Sequence, residues 1–170
     1  MTILRTVRTL ARYNAWADRL IFDAVAKLPD GEATKPRRSL FKNFVHTLNH
    51  NYIIDLIFQA HLEGRDHGFT ARNTEEYPPL HELWQAQEAV DNWYIAWSDR
   101  MTDAELDEKV AFAFVGGGQG AMTRAEMLLH VVNHTTYHRG FVADLFYQVP
   151  AKPPITDLPV FLRDASPDLD

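Results

Sequence analysis

The chain predicts an all-α four-helix bundle, and three observations carry that prediction. Four segments of about 22–26 residues repeat apolar side chains at helical spacing. Turn-forming residues separate them, with Pro29-Asp30-Gly31, Gly64 and Pro78-Pro79 at the breaks. Only one stretch, around residues 110–120, reads as extended.

The first helix is expected over residues 3–28. Tyr13, Trp16, Leu20, Ala24 and Leu28 form one stripe, with Ala17, Ile21 and Val25 beside it. Arg12, Asp18, Arg19, Asp23 and Lys27 lie largely off that stripe. The second helix is expected over about 39–63, capped near Ser39 and stopped at Gly64, with Leu40, Phe44, Leu48, Ile54, Ile57 and Phe58 inward. A polar connection, 64–79, follows. The third helix, about 79–101, buries Leu83, Ala86, Val90, Trp93, Tyr94 and Trp97.

Residues 102–122 interrupt the pattern. Val110 to Val115 read as a short strand, and the glycine-rich run 116–120 as a turn, so a small hairpin is expected. Thr123 and Glu126 have the spacing of a capping box, which starts the fourth helix at about 124 and runs it to 148. The tail, 149–170, carries five prolines, including Pro167, and so cannot be one long helix. Leu158, Val160, Phe161 and Leu162 are expected to pack it back on the body. The whole, 1–170, reads as one domain: a bundle over about 3–148 and a Pro-rich tail.

Composition removes several function classes. The formal net charge is −6, against a duplex-binding surface, which needs clustered Lys and Arg. The best basic cluster, Lys35-Pro36-Arg37-Arg38, reads as a solvated loop. No nucleic-acid partner is expected. No stretch approaches 18 uncharged apolar residues and no signal peptide opens the chain, so no membrane span is expected either. A cytoplasmic protein acting on small molecules is the expectation. There is no cysteine, which excludes thiolate metal sites and a Cys–His nucleophile. Neither G-x-S-x-G, a P-loop nor H-E-x-x-H occurs.

What remains is histidine. His130, His134 and His138 recur every four residues in LLHVVNHTTYHRG, which places them on one helix face. From His130 to His138 the helix climbs about 12 Å, too far for one ion with bonds near 2.1 Å to hold both. An adjacent pair can chelate, and 134/138, at mid-helix, is favoured over 130/134. His130 is then a supporting or hydrogen-bonded core residue. A third ligand must come from elsewhere, and the second helix offers His46 and His50, with His50 nearer its centre. His46 and Tyr137 are further supporting candidates, and Tyr13, Asn14, Asn49 and Asn133 are polar residues that could orient a ligand. His61, His67 and His81 are expected as exposed surface histidines. The aromatics Trp16, Trp84, Trp93 and Trp97 read as core.

LARYNAWADRLIFDAVAKL, LNHNYIIDLIF, LLHVVNHTTYHRG and the closing Pro-Pro-x-x-Asp-Leu-x-x-Phe-Leu segment at 153–162 resemble the DinB/YfiT-like bacterial proteins. These are metal-binding four-helix bundles, often dimeric. The resemblance covers nearly the whole chain, and its most specific piece is H-x-x-x-H-R-G at 134–140. It implies a three-histidine site at His50, His134 and His138, in agreement with the helix geometry. After H-R-G many relatives continue Gln-Val-His, where this chain has Phe141-Val142-Ala143. The broader superfamily includes S-transferases and isomerases that use a divalent metal with a low-molecular-weight thiol. The resemblance therefore implies a homodimer holding zinc or nickel, with a thiol as co-substrate. The competing expectations are a metal-dependent hydrolase of a small molecule and a non-catalytic, stress-related metal-binding protein.

Overall fold

The computed structural model describes residues 2–166, so Pro167 and the residues after it lie outside the description. The elements, in chain order, are α1 (Ile3–Ala26), α2 (Phe44–Glu63), α3 (Leu80–Arg100), α4 (Asp103–Leu106), β1 (Lys109–Ala113), β2 (Gln119–Thr123), α5 (Arg124–Phe146) and α6 (Leu158–Asp164). The four long helices make the expected bundle. α1 packs against α3 and α5, and α2 closes the ring against the same two. None of these helices is long and apolar enough to cross a membrane.

Most boundaries fall where turn chemistry puts them. Gly64 ends α2 in the left-handed conformation, where a residue without Cβ is unstrained. Thr123 and Glu126 form the capping box of α5: each side chain accepts the other residue's backbone N–H. α2, however, starts at Phe44 and not near Ser39. Asn43 is the cap, its Oδ1 accepting from His46 N at 2.8 Å, and residues 39–43 form bends. Asparagine offers the better cap because its amide also donates, to Thr34 O and Tyr77 Oη, which anchors the entry to the helix. α1 and α5 each stop two residues short of the expected ends, at Ala26 and Phe146.

The 102–122 insertion holds the hairpin and one unexpected turn of helix, α4, with a capping box of its own from Thr102 and Glu105. β1 and β2 pair antiparallel, from Lys109 opposite Thr123 to Ala113 opposite Gln119. The turn passes through Gly116, Gly117 and Gly118, all at positive φ. Gly120 matters for another reason: a Cβ there would lie 2.7 Å from Phe112 Cζ. The Phe112 ring can therefore lie across the strand and pin the hairpin onto the bundle beside Phe58 and His61.

The tail returns to the body as expected, but through fewer residues. Phe161 is buried against Tyr13 and Trp16, with centroids 5.8 and 5.5 Å away. Tyr13 Oη donates to Thr156 O at 2.9 Å. Leu158 and Leu162 stay exposed, because a seven-residue helix offers only one side to the bundle.

The interior is not continuously apolar. One apolar cluster contains Val7, Ala17, Ile57, Val90, Trp97 and Val131. The other contains Ile21, Phe22, Phe44, Leu83, Leu145 and Phe146. Between them every long helix contributes buried polar residues: Asn14 and Asp18; His50, Asn51 and Asp55; Gln87 and Asp91; Thr135, His138 and Arg139. α2 is buried on most of its circumference, which is why it shows no single apolar stripe.

Three solvent-side expectations are overturned in this interior. Asp18 is buried, because Arg139 meets it at 3.1 Å. His61 is buried between Phe58 and Phe112, while His81 is exposed and His67 half-buried. Arg37 is not solvated: its guanidinium pairs with Glu32 and lies 5.1 Å from the Phe44 ring centroid.

Candidate metal centre

The polar layer places the histidines. α2 supplies His50 and α5 supplies His134 and His138, and one ring nitrogen from each lies within 4.8 Å of the others. His50 Nε2 and His134 Nε2 are 3.1 Å apart. Two nitrogens each about 2.1 Å from one ion stand roughly 3.0–3.4 Å apart at right to tetrahedral angles, so this pair fits a shared ion. Among the described residues no fourth His, Asp or Glu joins the group.

His50 is held from behind. Its Nδ1 lies 2.7 Å from the carbonyl of Arg72, in the long connection between α2 and α3. A carbonyl only accepts, so Nδ1 carries the proton and Nε2 presents its lone pair to the group. The connection is tied down by Asn49, which donates to Thr74 Oγ1 at 2.9 Å. Neither contact has a local sequence signal, since a backbone carbonyl is available at every residue.

Burial sets the protonation state. It lowers the His134 pKa to about 3, helped by neighbouring His138, His50 and His130. It lowers His138 to about 4, with His50 adding to the effect. Burial also lowers His50. All three imidazoles are neutral at pH 7, as metal ligation requires. The metal-free chain then has a defined pH response. Below about 6.5 the unfolded chain takes up protons that these folded imidazoles refuse, so their contribution to stability falls as pH drops from 6.5 toward 4. Buried carboxyls titrate with the opposite sign, and a His134→Gln variant retains them. Urea unfolding of metal-free protein should show the parent chain losing more stability than His134→Gln between pH 7 and pH 5. Equal losses would count against this reading.

The supporting residues divide. Phe41, which sequence reasoning did not single out, has its ring 4.5 Å from His50 and 5.5 Å from His138. It is the group's apolar cover. His130 is one turn from His134, with ring centroids 5.7 Å apart, and packs 4.4 Å from Phe58. His46 is buried but faces Phe41 and Tyr77, and neither ring nitrogen has a partner. Tyr137 stands edge-on to His138 at 5.0 Å, but it is exposed and its hydroxyl makes no hydrogen bond among the described residues. Of the other polar candidates, Asn14 is committed to Arg139 and Asp18, and Asn133 is exposed. An open depression of about 520 Å³ lies toward the start of α5, lined by Glu126, Leu129, His130 and Asn133 and by Ala121 and Met122 of β2, and none of the three converging histidines lines it.

A helical bundle whose interior presents three neutral, convergent imidazoles is a bundle equipped to hold a divalent metal ion. A sequence model of the DinB family matches residues 3–169, and the chain belongs to the DinB family. It is 27% identical over 158 residues to the protein DinB of Bacillus subtilis (strain 168), a match covering 90% of this chain and 91% of that protein.

Proposed function

We propose that this chain is a metal-dependent enzyme that transfers a low-molecular-weight thiol to a small electrophile, using zinc or nickel held by His50, His134 and His138. The observation that carries the reading is the incomplete donor set: three neutral imidazoles converge, and among the described residues no fourth protein ligand joins them. A purely structural site normally closes its coordination with protein groups, whereas a catalytic one keeps a position open. When bound there, a divalent ion favours the deprotonated form of a thiol at neutral pH.

The chain's own residues do the rest. The Arg72 carbonyl fixes the His50 tautomer, burial keeps His134 and His138 unprotonated, and Phe41 restricts water. The chain has no cysteine, so the sulfur must come from a co-substrate. In the addition, sulfur loses its proton, a carbon–sulfur bond forms, and the electrophile takes up a proton. Metal-loaded protein should accelerate addition of small thiols to a reactive electrophile, and His134→Ala should not. If no thiol in a broad panel reacts faster with the loaded protein than with His134→Ala, the transferase reading fails and activation of water for hydrolysis takes its place.

The net charge of −6 speaks against nucleic acid as substrate. A homodimer is the expected assembly, supported by large apolar side chains left exposed on and just beyond α5: Leu129, Tyr137 and Tyr147. Sedimentation at micromolar protein should give twice the chain mass, and a value near 19.5 kDa would count against the dimer.

A further inference from the structure

The same polar layer contains a second convergence that the histidine site does not use. α1, α2 and α3 each contribute one buried aspartate, Asp18, Asp55 and Asp91, and one carboxyl oxygen from each lies within 4.8 Å of the others. Arg139 offsets one charge. Its Nη1 donates to Asp18 Oδ1 at 3.1 Å and to Asn14 Oδ1 at 2.8 Å. With all three carboxyls ionised, the buried cluster has two negative charges that no cationic side chain offsets among the described residues, and burying unpaired charge is costly.

The hydrogen bonds show where compensation is missing. Gln87, 1% exposed, donates from Nε2 to Asp55 Oδ2 and to Asp91 Oδ1, both at 2.9 Å. Its Nε2 therefore sits inside the cluster, and its Oε1, on the other arm of the amide, has no partner among the described residues. Thr135 is fully buried, and its hydroxyl lies close enough to Asp55 to favour that carboxylate, yet it too lacks a hydrogen bond. Asp55 Oδ1 and Asp91 Oδ2 are likewise unpartnered. Several buried oxygens lacking donors around a charge deficit of two are the donor set of a hard divalent cation. A cavity of about 410 Å³ between α1, α3 and α6 reaches Asp91 and offers a route in.

We propose that Asp18, Asp55 and Asp91, with the Thr135 hydroxyl, form a second cation site for an oxygen-seeking divalent ion such as Mg²⁺, Mn²⁺ or Ca²⁺. It differs from the histidine site in chemistry, since carboxylate and hydroxyl oxygens select hard ions and imidazoles select borderline ones. The two sites lie back to back on α5. His134 and His138 face one, and the next residue after each, Thr135 and Arg139, faces the other.

The test uses full-length His134→Ala protein, so that the histidine site does not compete and its failure stays separate from failure of this one. Metal-free protein is titrated with Mn²⁺ at pH 7.5, and free Mn²⁺ is read by electron paramagnetic resonance. One saturable site per chain is expected, displaced by Ca²⁺ or Mg²⁺, and Asp91→Asn in the same background should weaken it at least about tenfold. Thermal unfolding gives a second readout. Ca²⁺ should raise the midpoint of His134→Ala, while Asp91→Asn without cation should be at least as stable as its parent, because it removes an uncompensated buried charge. No saturable Mn²⁺ binding up to about 1 mM, equal affinity after Asp91→Asn, or no Ca²⁺-dependent rise in the midpoint would each overturn the proposal.

Discussion

His134→Ala and His138→Ala should each purify with almost no divalent metal, while His130→Ala keeps most of it. The three residues are chemically identical and equally spaced along α5, so only position separates them. His134 and His138 offer nitrogens that converge with His50, whereas the His130 ring packs on Phe58. Losing one of three donors removes the chelate. Losing a supporting group costs about 10–100-fold in affinity at most. Elemental analysis of protein purified in parallel decides the matter, with zinc competition against a chromogenic chelator giving the affinities. Equal metal in the His130→Ala and His138→Ala proteins would remove the basis for the assigned pair.

Arg139→Met should be the most destabilising single substitution in the polar layer. Arg139 and Asp18 have side chains only 3% exposed, and Arg139 also donates to Asn14 and Thr136. Its guanidinium lies 5.3 Å from the Tyr13 ring centroid. Burial raises the Asp18 carboxyl above its ordinary pKa and Arg139 pulls it back, so removing the guanidinium strands an acid already short of solvent. Breaking a buried pair from one side costs about 3–5 kcal/mol. For a chain of this length that is a fall in Tm of about 10 °C. Arg139→Lys keeps the charge but not the planar fork, and should fall between the two. Calorimetry on the three proteins at one metal loading tests this. A loss below about 1 kcal/mol would show that Asp18 sits protonated and that the pair contributes little.

The metal pair and the buried pair interleave on α5: His134 and His138 hold one register, Thr135 and Arg139 the next. Only the first register announces itself in the sequence. Imidazoles four residues apart can mean little else than a shared face, whereas an arginine after a histidine reads as a solvated charge until its partner is known. Asp18 illustrates the same limit. On α1 it lies off the apolar stripe and reads as solvent-facing, and it is buried because Arg139, 121 residues away, donates to it. Phe41 carries no sequence signal for a similar reason. It lies in the bends before α2, where no periodicity marks it, and only the packing brings its ring over His50 and His138.

The sequence alone determined the four long helices, the hairpin before the last of them, the capping box at Thr123 and the histidine pair on α5. Each follows from contacts within a few residues, namely helical period, turn geometry and side-chain reach to a neighbouring backbone group. Position along the helix and the family resemblance already favoured His50 over His46, and tertiary structure shows the difference in what they meet: His50 converges with the pair, while His46 faces Phe41 and Tyr77. Tertiary structure decided that the Arg72 carbonyl orients His50. It also decided that Asp18, Asp55 and Asp91 gather at one point. Those three sit on separate helices and have no shared period, and burial of a charge depends on what surrounds it in space.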